Sequence, residues 1–216
     1  MEKVSQLNIA NSIMQGPVPT AAFIAADNNI FPKMCDRINE TAWELWYLNG
    51  ISMTEGGSAF AMGLTRNARS VERGGFCVEV HALFSNNTNL SLELLFKESN
   101  FVEREGAITG TWHSPGSEDV VKVVFQVLAD LSSASLRFDV PGKVTGTIDL
   151  TALNKVPMLP SKEEDAQLGP CVHYLRGLPI ATVIADLVFG DVKDVQGAKI
   201  LRLRTHDQVV GGMDRL

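Results

Sequence analysis

Glu44, Glu79, His81 and Glu93 interrupt segments that are otherwise apolar: WELWYL, FCVEVHALF and LSLELLF. Carboxylates and imidazoles in such settings can hydrogen-bond a substrate, or move protons when burial tunes their pKa. Side chains two apart on an extended chain share a face, so Glu79 and His81 point one way together, as do Glu44 and Trp46. A large aromatic beside a carboxylate suits a cavity wall, because a carboxylate out of water is kept only with a partner or a proton. The alternation equally accommodates Glu79 and His81 on the wet face of a half-exposed sheet, and for Glu93 that is the simpler reading. Trp112 reads as core. Tyr174 heads a long apolar run, where core and pocket rim both fit. His206-Asp207 reads as a turn, with a polar hinge as the sharper alternative.

Other chemistries lack their signatures. The chain has no GxGxxG, no GxxxxGK[ST] and no GxSxG, so nucleotide and serine-hydrolase sites are not expected. His81, His113, His173 and His206 form neither HxH nor HExxH, and Cys35, Cys77 and Cys171 are far apart with no CxxC pair. That pattern is neither a zinc site nor a disulfide framework, and it fits a reducing compartment. The first residues, MEKVSQLNIANSIM, lack the basic start and apolar run of a signal peptide, so a cytoplasmic location is expected. No apolar run approaches ~18 residues, so no membrane span is expected. Net charge is −6 with the basic residues scattered, which argues against a nucleic-acid partner. No cofactor and no metal are expected.

The elements that must position these residues are strands. Of the 216 residues 45% are hydrophobic and 20% charged, enough for one large packed domain. Residues 1–40 read as irregular, broken by Pro17, Pro19, Pro32 and Asn28-Asn29, with only Thr20 to Ala25 strand-like. From Thr41 the period is two: Trp43 to Asn49, Ala59 to Thr65 across a Glu55-Gly56-Gly57 turn, Phe76 to Phe84 and Leu90 to Phe96. It continues through Phe101 to His113, Val120 to Ala129, Leu136 to Val140 and Val144 to Leu150, punctuated by Pro-Gly and Ser-Ser pairs. Pro157 to Pro170 reads as a linker before long strands at His173 to Phe189 and Gln196 to Thr205. Many short alternating strands predict an all-β protein, an antiparallel barrel or sandwich with an irregular N-terminal segment.

ETAWELWYLNGIS, RGGFCVEVHALF and GGMDR, in that order and spacing, resemble the lipocalin-like Diels–Alderases of fungal polyketide pathways. These pericyclases are related to the hydroxyneurosporene synthase and AttH-type fold. SLRFDVPGKVTGTIDLTALNKVP also resembles a strand pair of that family. The likeness spans roughly residues 40 to 215 and rests on order and spacing more than on any one motif. It implies that residues 41–216 are the β-rich N-terminal domain of a two-domain enzyme, with GGMDR near the passage between domains. It therefore implies a second β domain or subunit, supplied after Leu216 or by another chain. By local match it assigns Glu44, Glu79 and His81 to catalysis, and Trp46 and Tyr174 to substrate binding.

The activity so implied is a cofactor-independent [4+2] cycloaddition, Diels–Alder or hetero-Diels–Alder, of an apolar polyene or polyketide-type molecule in secondary-metabolite biosynthesis. Folding a flexible chain into its reactive shape can remove roughly 7 to 11 kcal/mol in the best intramolecular cases. A hydrogen bond to a carbonyl conjugated with the dienophile lowers the barrier further. Two alternatives stay open: an acid-catalysed isoprenoid hydratase or cyclase, with Glu44 or Glu79 as the acid, and a lipocalin-like carrier with no chemistry.

Overall fold

The computed structural model describes residues 2–53, 57–116, 121–153, 159–170, 172–194, 197–204 and 209–215. The strands in chain order begin with β1 (Lys3–Asn8), β2 (Ile13–Met14), β3 (Ile38–Asn39), β4 (Trp43–Ser52) and β5 (Ala59–Asn67). After a 3-10 turn over Ala68–Arg73 come β6 (Phe76–Leu83), β7 (Asn89–Phe96), β8 (Glu98–Arg104) and β9 (Ala107–His113). Next are β10 (Lys122–Leu128), β11 (Ser133–Val140) and β12 (Val144–Ala152), then one helical turn, α1 (Glu163–Ala166). The last strands are β13 (Gln167–Gly169), β14 (Val172–His173), β15 (Leu175–Asp194), β16 (Gly197–Arg204) and β17 (Val209–Arg215).

One 13-stranded sheet carries the fold, in the order β1-β8-β9-β10-β11-β12-β15-β17-β4-β5-β6-β7, with β16 paired to the far part of β15. Its pairs are antiparallel, as the period-two pattern predicts. The sheet rolls so that its two halves face each other. Trp46 of β4 stacks on Phe101 of β8 with centroids 4.5 Å apart, and Trp112 of β9 donates its indole N–H to the Thr65 carbonyl of β5 at 2.9 Å. β7 and β8 lie in opposite halves yet are separated by Lys97 alone, so one bent strand turns the corner between them. Among the described residues, Trp46, Trp112, Phe76, Phe96, Phe101, Phe125, Phe138 and Phe189 are all buried in a single cluster between the halves. The interior is a close-packed core.

Several sequence expectations need correction. β1 lies within the stretch read as irregular and pairs with β8, burying Ser5 and Leu7. Thr20 to Ala25 is not a strand. Asn29 ties that segment into a loop instead, its side chain bonding both the N–H and the carbonyl of Ile24. Phe101 to His113 is two strands with a turn at Glu105-Gly106, both at positive φ. Part of the expected linker forms α1 and β13, whereas the Glu55-Gly56 turn and His206-Asp207 lie outside the described residues.

Residues 20–37 cross one end of the roll as a strap. Ser5 donates to the Cys35 carbonyl at 2.6 Å, Asn28 to the Ala129 carbonyl at 2.9 Å, and the Ala26 N–H to the Pro160 carbonyl at 2.9 Å. Ile30 of the strap and Ile38 just after it are fully buried. No helix among the described residues is long and apolar enough to cross a membrane.

Candidate functional site

The burial pattern of β4 alternates from Trp43 onward, turning Glu44, Trp46 and Leu48 inward. Glu44 is 3% exposed and Trp46 is wholly enclosed. The Glu44 carboxylate accepts from the Lys33 N–H at 2.6 Å and from Arg215 Nη2 at 2.9 Å, and it pairs with Arg66 Nη1 at 3.5 Å. Arg66 also donates to Ser5 Oγ at 2.9 Å and to the carbonyl of Ser99 at 3.0 Å. The two guanidinium groups cap an aromatic stack: Arg66 lies over Phe101, Phe101 on Trp46, and Arg215 over Trp46. Burial pushes both guanidinium pKa values down, that of Arg66 to about 10, with Glu44 opposing the shift in each case. At about 10, Arg66 stays cationic at neutral pH. Trp46 thus forms part of the core where a cavity wall was expected, and Glu44 binds protein groups.

β6 turns Phe76, Val78, Val80 and Ala82 into the core. Glu79 and His81 therefore face outward, half-buried and exposed respectively. They stand on the opposite side of the sheet from Glu44 and Trp46. Register builds a groove around them. Gly63 lies between Tyr47 of β4 and Glu79 of β6, and Ala61 between Asn49 and His81. Small side chains on β5 form the floor, and β4 and β6 form the walls. A methyl group placed on Gly63 would sit 3.3 Å from Leu45 Cδ1 and 4.0 Å from Glu79 Oε2, so the glycine leaves room where these two side chains lean in. The groove opens into a concavity of about 530 Å³ lined by Ala59, Phe60, Ala61, His81, Leu83 and Ser91. His81 Nδ1 lies 3.1 Å from Ser91 Oγ, its cross-strand partner. Tyr47 and Asn49, which border the same groove, escaped the sequence reading because only the register shows that they face Glu79 and His81.

Glu93 lies directly opposite Glu79 on β7, on the outer face as expected. Arg73 pairs with it, and the Cys77 thiol donates to it at 3.4 Å. Burial, then the bond to Glu93, raises the Cys77 thiol pKa to about 12, so this thiol is neutral and inert. Cys77, Glu79 and Glu93 offer ligand atoms within 4.8 Å of one another. Arg73 and the thiol hydrogen already occupy that corner. Tyr174 is half-buried just before β15, four strand steps from β6, or about 19 Å by strand spacing. The structure thus brings Glu79 and His81 together and Glu44 and Trp46 together, and it places the two pairs on opposite faces of the sheet.

Fold and site define a rolled-sheet β protein with a packed interior and a small-floored groove on its outer face. The chain belongs to the Diels-Alderase-like family, whose model matches residues 1–216. It is 37% identical over 213 residues to a Diels-Alderase of Gibberella fujikuroi and 39% identical over 214 residues to Diels-Alderase fsa2 of Fusarium heterosporum. Each alignment covers 99% of this chain but 55% and 54% of those relatives, so the chain spans about half their length. The crystal structure of CghA superposes with a TM-score of 0.86 at 28% identity, covering 98% of this chain and 55% of that one. A structure of CghA with Sch210972 superposes with a TM-score of 0.85.

Proposed function

We propose that this chain forms one wall of the active site of a cofactor-independent [4+2] cyclase, with an apolar polyene lying along the β5 groove. The observation that carries this reading is the groove itself. Its floor is small and apolar, His81 borders a concavity of about 530 Å³, and Glu79 continues the same wall. That volume is in the usual range for small-molecule sites. The central step of a cycloaddition transfers no proton, so a wall that holds the chain folded and hydrogen-bonds its polar head is sufficient chemistry. Glu79 and His81 are the groups offered to that polar head. Glu44 and Trp46 maintain the frame, and Tyr174 would meet only an extended substrate.

The opposite wall would come from a second β domain or subunit, matching the additional length of the relatives. Ile51, Met53 and Ile184 on the outer face are 59%, 65% and 68% exposed, apolar surface suited to being covered. A carrier reading requires enclosure inside the roll, where the described aromatic residues pack into one core cluster.

The test is conversion of a linear polyene bearing a diene and an activated alkene, in H₂O and D₂O, with and without a chelator. Expected are one dominant diastereomer, no solvent isotope effect on the central step and no chelator sensitivity. Glu79→Gln, which keeps hydrogen-bonding capacity, should lose no more than about 1.5 to 3 kcal/mol of transition-state stabilisation. A large isotope effect abolished by Glu79→Gln would identify an acid-catalysed cyclase instead, with a loss of roughly 10²-fold to 10⁴-fold. Tight binding with no turnover would identify a carrier.

A further inference from the structure

The strap is held by side chains from strands that are distant in sequence. Glu44 of β4 accepts from the N–H groups of Lys33 and Met34, the latter at 3.4 Å. Trp46 donates to the Ile30 carbonyl at 2.9 Å, and Arg66 of β5 to the Met34 carbonyl at 3.3 Å. Arg215 of β17 donates to the Asn29 carbonyl. These strap groups have been withdrawn from water, so the bonds from the sheet are what satisfy them.

Arg215 stands apart because of its strand. β17 is far from β4 in sequence yet inserts between β15 and β4, joining β4–β7 to the rest of the sheet. A second contact links the same elements. At Gly177 of β15, the position a Cβ would take is approached by Met213 of β17 and, at 3.3 Å, by Ile30 Cδ1 of the strap. Glu44, Arg66 and Arg215 are each at most 4% exposed, so two cations share one carboxylate under the strap. Removing Glu44 would leave two buried cations without a counterpart, whereas removing Arg215 leaves Glu44 with Arg66 and withdraws the bonds to Glu44 and to the Asn29 carbonyl.

We infer that the strap and β17 form one cooperative closing unit latched through Glu44, so that the strap seats only when β17 brings Arg215 beneath Asn29. Glu44 is then a positioning residue. The latch joins the strap to a strand distant from it in sequence, and it stands whether or not the groove is the substrate site.

Native-state hydrogen exchange of the full chain, in rising sub-denaturing denaturant, tests this. The amides of Lys33, Met34 and β17 should converge on one opening free energy and one denaturant slope, while β10 to β12 open later. Strap amides that open with a shallower slope than β17 would overturn the inference. In Arg215→Met, exchange in residues 28–35 and in β17 should accelerate together by at least roughly tenfold, as should tryptic cleavage after Lys33. Acceleration in one element alone would also overturn it. If that variant does not fold, the exchange of the native chain decides the matter unaided.

Discussion

Glu44 and Glu79 have similar sequence surroundings and opposite fates. Both interrupt apolar runs, but Glu44 faces two buried guanidinium groups while Glu79 borders the outer groove. Spacing alone showed which residues share a face, and those pairings agree with the burial patterns of β4 and β6. It did not show which face becomes the interior, because the roll of the sheet decides that through contacts such as Arg66 with Ser99. Lys33 gives a prediction at this scale. Burial, followed by repulsion from Arg215, lowers its pKa from 10.5 to about 8. Below the folded-state value both states are protonated, and the folded state bears the cost of the cation. As pH rises from about 8 towards 10.5 the folded chain has released the proton while the unfolded chain still holds it, so stability grows. The stability of the native chain relative to Lys33→Met should therefore increase between about pH 7 and about pH 10 in denaturant titrations. A constant difference would contradict this.

Among the elements, β4 to β7 and β10 to β12 were legible because alternation is strong wherever one face meets a core, while β8 and β9 were read as one run. β1 and β17 were missed for different reasons. KVSQLN is polar at four of its six positions and pairs on one edge only, while VVGGMDR carries two glycines that weaken any strand signal. The Glu105-Gly106 turn was missed because a glutamate at positive φ is uncommon and the flanking pattern runs through it. Gly146 illustrates a requirement of the opposite kind. It sits in β12 at φ +126, and a Cβ there would collide with the Asp186 carbonyl of β15. Gly146→Ala should cost roughly 1–3 kcal/mol, read as a lowered thermal midpoint with the β fold retained. An unchanged midpoint would mean that β12 and β15 can shift apart there at no cost.

For the molecule as a whole, period-two alternation sufficed to read an antiparallel β architecture, and three ordered motifs pointed to the family that residues 1–216 match. Trp46, expected to wall a cavity, packs instead among the aromatic side chains inside the roll, and the groove proposed as the site lies on the outer face. No single segment carries that information, since it depends on how the two halves of one sheet meet. The β5 groove is where the substrate is proposed to lie. Ala61 forms its floor between Asn49 and His81 and is half-buried, so a larger side chain there fills the groove without entering the core. The most direct measurement is the cycloaddition rate of Ala61→Leu beside the native protein, with the thermal midpoint as the control for folding. A displacement of about 1 Å can cost roughly a hundredfold in rate, so the account predicts a loss of at least about tenfold at an unchanged midpoint. A native rate from a folded Ala61→Leu would contradict it.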